Sequence, residues 1–231
     1  MTNLQQLLAR PNGSLTELLA TTAQLRPEHP ALILNEQMLN YREFDRLVSR
    51  VAASLQREGL QPGDVVAACA GTSFEYVALF FGTLRAGGVM TPLPPSASAQ
   101  NLTGMLVNSG ARWLFRDQSA AQAWPLEPFS ADGSSTELGS GSGLDSSSGL
   151  SEDAAAHTAS ALKTVWLDQT PGHDAWSIWL SDSLNPTPVA TDPNRAFNLI
   201  YSSGTTGVPK GIVQPCSMRW AHTQRAAANG M

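Results

Sequence analysis

The densest set of chemically able side chains lies in one run, Tyr201-Ser202-Ser203-Gly204-Thr205-Thr206-Gly207-Val208-Pro209-Lys210-Gly211. It combines glycines, small hydroxyl side chains and one ammonium group, the mixture that suits a phosphate. Glycines let successive backbone N–H groups converge on an anion, hydroxyls donate to its oxygens, and an ammonium adds a point charge. Pro209 limits the mobility of the segment that carries Lys210. A Ser/Gly-rich surface turn is the plainer reading of such a cluster. Two familiar phosphate loops are excluded. Pro209 precedes Lys210 and Gly211 follows it, so there is no Gly-Lys-Ser/Thr ending. The spacing from Gly204 to Gly207 also lacks the Gly-x-Gly-x-x-Gly order of a dinucleotide fingerprint.

A loop of this kind must be held by regular structure on both sides. Ala196 to Tyr201 reads as a strand feeding directly into it, Gly211 to Val213 as a returning strand, and Met218 to Ala228 as a helix. Upstream, Ser14 and Glu17 have capping-box spacing, and Leu15, Leu18, Leu19, Thr22 and Leu25 recur at helical intervals until Pro27 forbids continuation. Ala31 to Leu34 and Leu39 to Tyr41 flank Asn35-Glu36-Gln37 as a short hairpin. A second helix carries the stripe Phe44, Leu47, Val48, Val51, Ala52 and Leu55, with Gly59 placed to end it.

Val65 to Ala70 is a near-continuous apolar run, as a strand buried on both faces requires. Thr72 and Glu75 give another capping box, opening a helix through Tyr76, Leu79, Phe80 and Leu84 to Gly87-Gly88. Val89 to Leu93 is the next strand, Ala97 to Val107 the next helix, and Arg112 to Phe115 a further strand. Strands alternating with helices predict an α/β fold with a parallel-rich sheet flanked by helices. From Ser130 to Glu152 the composition turns to Ser, Gly and acidic residues, which predicts a flexible insertion (130-152) between an N-terminal part (1-129) and a second part (153-231). Pattern returns weakly at Lys163 to Leu167 and Trp176 to Leu180.

The chain has 231 residues, 42% of them hydrophobic, and 14 basic against 19 acidic residues give a net charge of -5. Neither sign forms a run able to coat nucleic acid or an anionic membrane, which argues against both as partners. No run of about 18 apolar residues occurs, so no membrane span is predicted, and the N-terminus has no signal-peptide pattern. Cys69 and Cys216 lack metal-ligand spacing, and a reducing, cytoplasmic setting fits two isolated cysteines best. Cys69 reads as core. Cys216 reads as a small packing residue, with a reactive thiol at a helix N-terminus as the alternative. His29, His157, His173 and His222 show no ligand pairing and read as solvated; Trp166, Trp176 and Trp179 read as packing.

Tyr-Ser-Ser-Gly-Thr-Thr-Gly-x-Pro-Lys-Gly resembles the signature loop of the AMP-binding, adenylate-forming superfamily, which includes acyl-CoA synthetases, luciferases and peptide-synthetase adenylation domains. The stretch from Thr72-Ser73-Phe74-Glu75 through Leu84-Arg85-Ala86-Gly87-Gly88 to Pro92-Leu93 is similar to the family's early helix and strand. Leu39-Asn40-Tyr41, with the helix to Leu60-Gln61-Pro62-Gly63-Asp64, is likewise similar. The resemblance covers residues 14 to 117 and 196 to 225 and implies the N-terminal subdomain portion of such an enzyme.

It further implies that ATP and a small carboxylic acid form an acyl-adenylate and pyrophosphate, after which a thiol, by family frequency coenzyme A, takes the acyl group. Carried over to this sequence, Ser202, Ser203, Thr205, Thr206 and Lys210 would contact phosphate, Gly204, Gly207 and Gly211 would supply backbone freedom, and Mg2+ would bridge the phosphates. No residue here is assigned as a metal ligand. A histidine often follows the Lys-Gly pair in the family; here the stretch reads Ile212-Val213-Gln214-Pro215-Cys216. In the family the acyl pocket, the adenine contacts and a mobile C-terminal domain with its catalytic lysine come later in the chain than Met231. The implied catalytic lysine is therefore not assigned, and the chain is expected to be a fragment incomplete for turnover. The alternative expectation is a non-catalytic module that associates with a separate C-terminal partner.

Overall fold

A computed structural model describes residues 3–125, 162–168, 175–202 and 209–229. The predicted insertion at 130–152 lies outside the described residues.

The N-terminal helices α1 (Asn3–Leu8) and α2 (Leu15–Leu25) precede an antiparallel ribbon of β1 (Pro30–Leu34) and β2 (Gln37–Asn40). Asn35 turns this ribbon with a φ of 54°, a left-handed conformation that asparagine tolerates better than most residues. Ser14 caps α2, but its oxygen accepts from the Thr16 N–H, and Glu17 pairs with Arg10 at 2.6 Å instead of closing a capping box. A complete capping box occurs elsewhere, at the start of α3 (Tyr41–Arg57). Here the Asn40 side chain accepts from the Glu43 N–H and Glu43 accepts from the Asn40 N–H.

The main sheet has six strands in the order β6-β5-β3-β4-β7-β8. These are β3 (Val65–Cys69), β4 (Val89–Pro92), β5 (Trp113–Arg116), β6 (Lys163–Trp166), β7 (Ala196–Ser202) and β8 (Lys210–Pro215). All neighbours are parallel except β7 and β8, which are antiparallel. Between them run α4 (Phe74–Arg85), α5 (Ala99–Ser109), α6 (Gln118–Ala123) and α7 (Trp176–Trp179), and α8 (Cys216–Ala228) closes the described chain. The cap of α4 is Ser73, whose oxygen accepts from the Tyr76 N–H, one residue later than the spacing from Thr72 implied. Ser73 wins because it has the extended backbone of an N-cap, at φ -149° and ψ 169°.

Side-chain alternation along β3 builds two cores. Val66 and Ala68 join Trp113 and Phe115 under α3 and α4, while Ala67 and Cys69 join Leu114 under α5 and α6. The first core is closed by a tight helix crossing: a Cβ on Gly82 of α4 would lie 2.3 Å from Val51 Cγ1 on α3. Arg85 then locks three helices together, donating to Asp45 Oδ1 at 2.6 Å, Ser49 Oγ at 2.8 Å and the Thr16 carbonyl at 3.3 Å. Trp176 and Trp179 pack edge-on against Phe115, with ring centroids 6.4 and 4.9 Å away, so they fill the core as expected. Trp166 lies beside Arg116, whose guanidinium carbon is 5.2 Å from its ring centroid.

Candidate functional site

The expected strand Ala196 to Tyr201 joins the sheet as β7, beside β4 through Met90 and Asn198. Thr91 Oγ1 donates to the Leu199 carbonyl at 2.9 Å, a second tie between the same two strands. The chain leaves β7 at Ser202 and returns at Lys210, and these two residues are partners in the antiparallel ladder. The candidate loop is thus pinched at its base by a hairpin. It emerges at the carboxyl end of β7, the same end at which β3, β4, β5 and β6 finish, which is where open α/β sheets place their ligands.

Of the residues expected to hold phosphate, Ser202, Lys210 and Gly211 are described, and all three are exposed. Ser203, Gly204, Thr205, Thr206 and Gly207 lie outside the described residues. Lys210 is the one charged side chain within β7 and β8, and among the described residues it makes no ion pair and no side-chain hydrogen bond. The hairpin mouth therefore offers an ammonium group to solvent next to a serine hydroxyl, an arrangement fit for an oxyanion.

Gly211 has a different reason for being glycine from the one expected. Its backbone is not in the left-handed region; the requirement is space. A Cβ there would lie 3.1 Å from Leu199 Cδ1, 3.3 Å from Tyr201 Cε1 and 3.4 Å from Asn108 Oδ1. Tyr201, its ladder partner, fills that space and reaches across to α5. Its hydroxyl oxygen is 2.9 Å from the Met105 carbonyl oxygen and 2.8 Å from Asn108 Oδ1. Burial pushes the Tyr201 hydroxyl up to about 12, so it is a neutral prop and no base. Periodicity identified Asn108 only as a helix stop, because a contact between α5 and β8 leaves no local trace in sequence.

Cys216 stands at the start of α8, its N–H donating to the Arg195 carbonyl at 2.9 Å. Burial raises its thiol above the ordinary value, and the opposing charge of Arg195 does not offset this, so the helix start does not activate it. Lys210 begins β8 and Cys216 follows its end, so six steps of extended chain, roughly 20 Å, separate the two. The cysteine lines instead a cavity of about 60 Å³ with Arg85, Arg195 and Arg219, too small for a nucleotide. Cys69 is fully buried, with its thiol pushed up to about 11 by burial. His29 and His222 are exposed, and His157 and His173 lie outside the described residues. Among the described residues, no three His, Cys, Asp or Glu side chains cluster as metal ligands would.

The family model for the AMP-binding enzyme matches residues 19–222. Among curated proteins, the chain is 29% identical over 209 residues to the fatty acid–[acyl-carrier-protein] ligase ScoC of Streptomyces coeruleorubidus, covering 90% of this chain and 34% of that protein. It is also 29% identical over 201 residues to bacitracin synthase 1 of Bacillus licheniformis, covering 87% of this chain and 3% of that protein. Among solved structures it superposes on the anthranilate CoA ligase AuaEII, in complex with anthranoyl-AMP, with a TM-score of 0.69 and 18% identity. That match covers 93% of this chain and 36% of the other. The chain therefore spans about a third or less of the length of these relatives. With the family model running from α2 into α8, the chain belongs to the AMP-binding enzyme family.

Proposed function

We propose that this chain provides the phosphate grip of an enzyme that activates a small carboxylic acid with ATP. The observation that carries the reading is the pinched hairpin, which presents the exposed Lys210, unpaired among the described residues, opposite Ser202 at the carboxyl end of the sheet. In the reaction a carboxylate oxygen attacks the α-phosphorus, the bond to the bridging oxygen breaks, and pyrophosphate departs with the electron pair. The charge that grows on the leaving group is what Lys210, the hydroxyls of Ser202, Ser203, Thr205 and Thr206, and the backbone N–H groups around Gly204, Gly207 and Gly211 would stabilise. Donors and charges of this kind stabilise a leaving group most when they are oriented before the charge appears. Mg2+ would arrive with the nucleotide and bridge its phosphates.

For the second half-reaction we propose a thiol acceptor, coenzyme A, the acceptor named for AuaEII, which shares this fold. A carrier-protein thiol is the second reading, favoured by the higher identity to a ligase whose named acceptor is an acyl carrier protein. No helix among the described residues is long and apolar enough to cross a membrane, which supports a cytoplasmic setting for either acceptor.

The test is calorimetric titration of the chain with ATP and with pyrophosphate in the presence of Mg2+, beside a circular-dichroism check of folding. Saturable binding that Lys210→Ala abolishes or weakens supports the reading. A folded chain that binds neither ligand overturns it and favours a non-catalytic module that joins a separate C-terminal partner.

A further inference from the structure

We propose that Asn108 is a positioning residue for the phosphate loop, acting through the Tyr201 hydroxyl on the base of the hairpin. The proposal rests on the reading of that loop as a phosphate site. Three contacts converge at one point. Asn108 Oδ1 lies 2.8 Å from the Tyr201 hydroxyl oxygen. A Cβ on Gly211 would approach the same Asn108 atom to 3.4 Å and the Tyr201 ring to 3.3 Å. Tyr201 and Gly211 are ladder partners, immediately inside the pair Ser202 and Lys210 from which the loop springs. Asn108 therefore bonds one leg of the hairpin through Tyr201 and stands beside the other at Gly211, one residue before the loop begins.

The asparagine is not needed to finish its own helix. The end of α5 is closed by Gly110, at φ 63°, with its N–H donating to the Val107 carbonyl. Ser109 Oγ donates to the Leu106 carbonyl and accepts from the Ala111 N–H. Among the described residues, the Asn108 side chain makes its one hydrogen bond to Tyr201. The helix that carries it is anchored by Leu102, Met105 and Leu106 in the core shared with Ala67, Cys69 and Leu114. Asn108 is thus a rigid post against which a hairpin at the edge of the sheet is braced. The Tyr201 hydroxyl has one proton to donate, and two acceptors share it, Asn108 Oδ1 at 2.8 Å and the Met105 carbonyl at 2.9 Å.

Bracing holds in place the two residues, Ser202 and Lys210, from which a phosphate ligand would be met, so the effect appears in ligand affinity. Four forms of the full chain are titrated with magnesium pyrophosphate by calorimetry: wild type, Asn108→Ala, Tyr201→Phe and the double variant. Thermal unfolding of each is followed in parallel. Each single variant is expected to weaken binding roughly three- to ten-fold, the scale of one hydrogen bond's net contribution. The double variant is expected to bind no more weakly than Tyr201→Phe, which removes the bond to Asn108 as well as the bond to the Met105 carbonyl.

Unchanged affinity in a folded single variant overturns the role of Asn108, and so do effects that multiply in the double variant. If Asn108→Ala does not fold, Asn108→Leu, which keeps the side chain's bulk without its amide, takes its place, and unchanged affinity in a folded Tyr201→Phe also overturns the proposal. Lys210→Ala separates the two levels of the argument. Wild-type binding that is lost in Lys210→Ala but kept in Asn108→Ala overturns this proposal while the phosphate loop stands. Absence of binding to the wild type overturns both.

Discussion

Ser202 and Lys210 face each other as the last pair of the antiparallel ladder between β7 and β8, and residues 203–209 of the candidate phosphate loop lie between them. Such a closure holds the backbone of a hydroxyl residue beside that of a cationic residue before any ligand arrives. Lys210→Ala removes the cation without touching the ladder hydrogen bonds, which are main-chain. A charge-assisted contact contributes about 1.5–3 kcal/mol, so ATP or pyrophosphate should bind about 10- to 100-fold more weakly. Lys163→Ala is the control, since Lys163 sits at the far strand of the same sheet beside Glu58 at 3.7 Å. Calorimetry that finds equal losses in the two variants means that the affinity is nonspecific attraction of anions.

Gly82 tests the helix crossing that supports the sheet. Alanine is favoured over glycine inside a helix by about 1 kcal/mol. Here the added methyl would meet Val51 Cγ1 at 2.3 Å, Val51 Cβ at 2.5 Å and the Val48 carbonyl oxygen at 3.2 Å. Overpacking of this kind costs about 1–3 kcal/mol, and the nearest atoms belong to a helix that cannot yield locally. The clash should win, and Gly82→Ala should lower the melting temperature by a few degrees. A melting temperature equal to or above wild type would show that α3 and α4 can separate freely.

The candidate phosphate loop could be proposed from sequence because its chemistry is local: eleven consecutive residues from Tyr201 to Gly211 carry it. The parallel strands at Val65, Val89 and Arg112 were legible for the same reason, as apolar runs bounded by turn residues. Their order was not. That β3 lies between β4 and β5 depends on which side of the sheet each crossover takes, and periodicity holds no record of that choice. Capping was half legible, since Ser73 and Thr72 both qualify by type and only backbone geometry chooses between them. The prop beneath the loop was wholly illegible, because Asn108 and Tyr201 are 93 positions apart. So was the role of Glu58, which looks like an ordinary charge at a helix end.

Glu58 accepts two indole N–H groups, from Trp113 at 2.8 Å and from Trp179 at 3.0 Å, one on each carboxylate oxygen. It thereby fastens α7 to β5. Glu58→Gln preserves shape but replaces one oxygen with an NH2 group facing an indole donor. The lost charge-assisted bond amounts to about 1.5–3 kcal/mol. Urea unfolding followed by tryptophan fluorescence should show a lower midpoint with an unchanged slope. Coincident curves for wild type and variant mean that water replaces the carboxylate at no cost.

Tyr201 makes the stability of the chain depend on alkaline pH in a definite direction. Burial raises its hydroxyl from an ordinary value of 10.0 to about 12 in the folded chain. Below about pH 10 both the folded and the unfolded chain keep the proton, so the contribution is fully present. Between about pH 10 and 12 the unfolded chain releases the proton while the folded chain holds it. Stability must then fall as pH rises and be lost beyond about 12. Cys69 works in the same direction in its own window, from 9.0 to about 11, because burial raises its thiol too. Tyr201→Phe removes the first contribution and leaves the second. Urea unfolding at pH 9, 10 and 11 should therefore give a shallower decline for Tyr201→Phe than for wild type above pH 10, with parallel curves below it. If the two decline together, the Tyr201 hydroxyl is solvated in the folded chain and does not prop the hairpin.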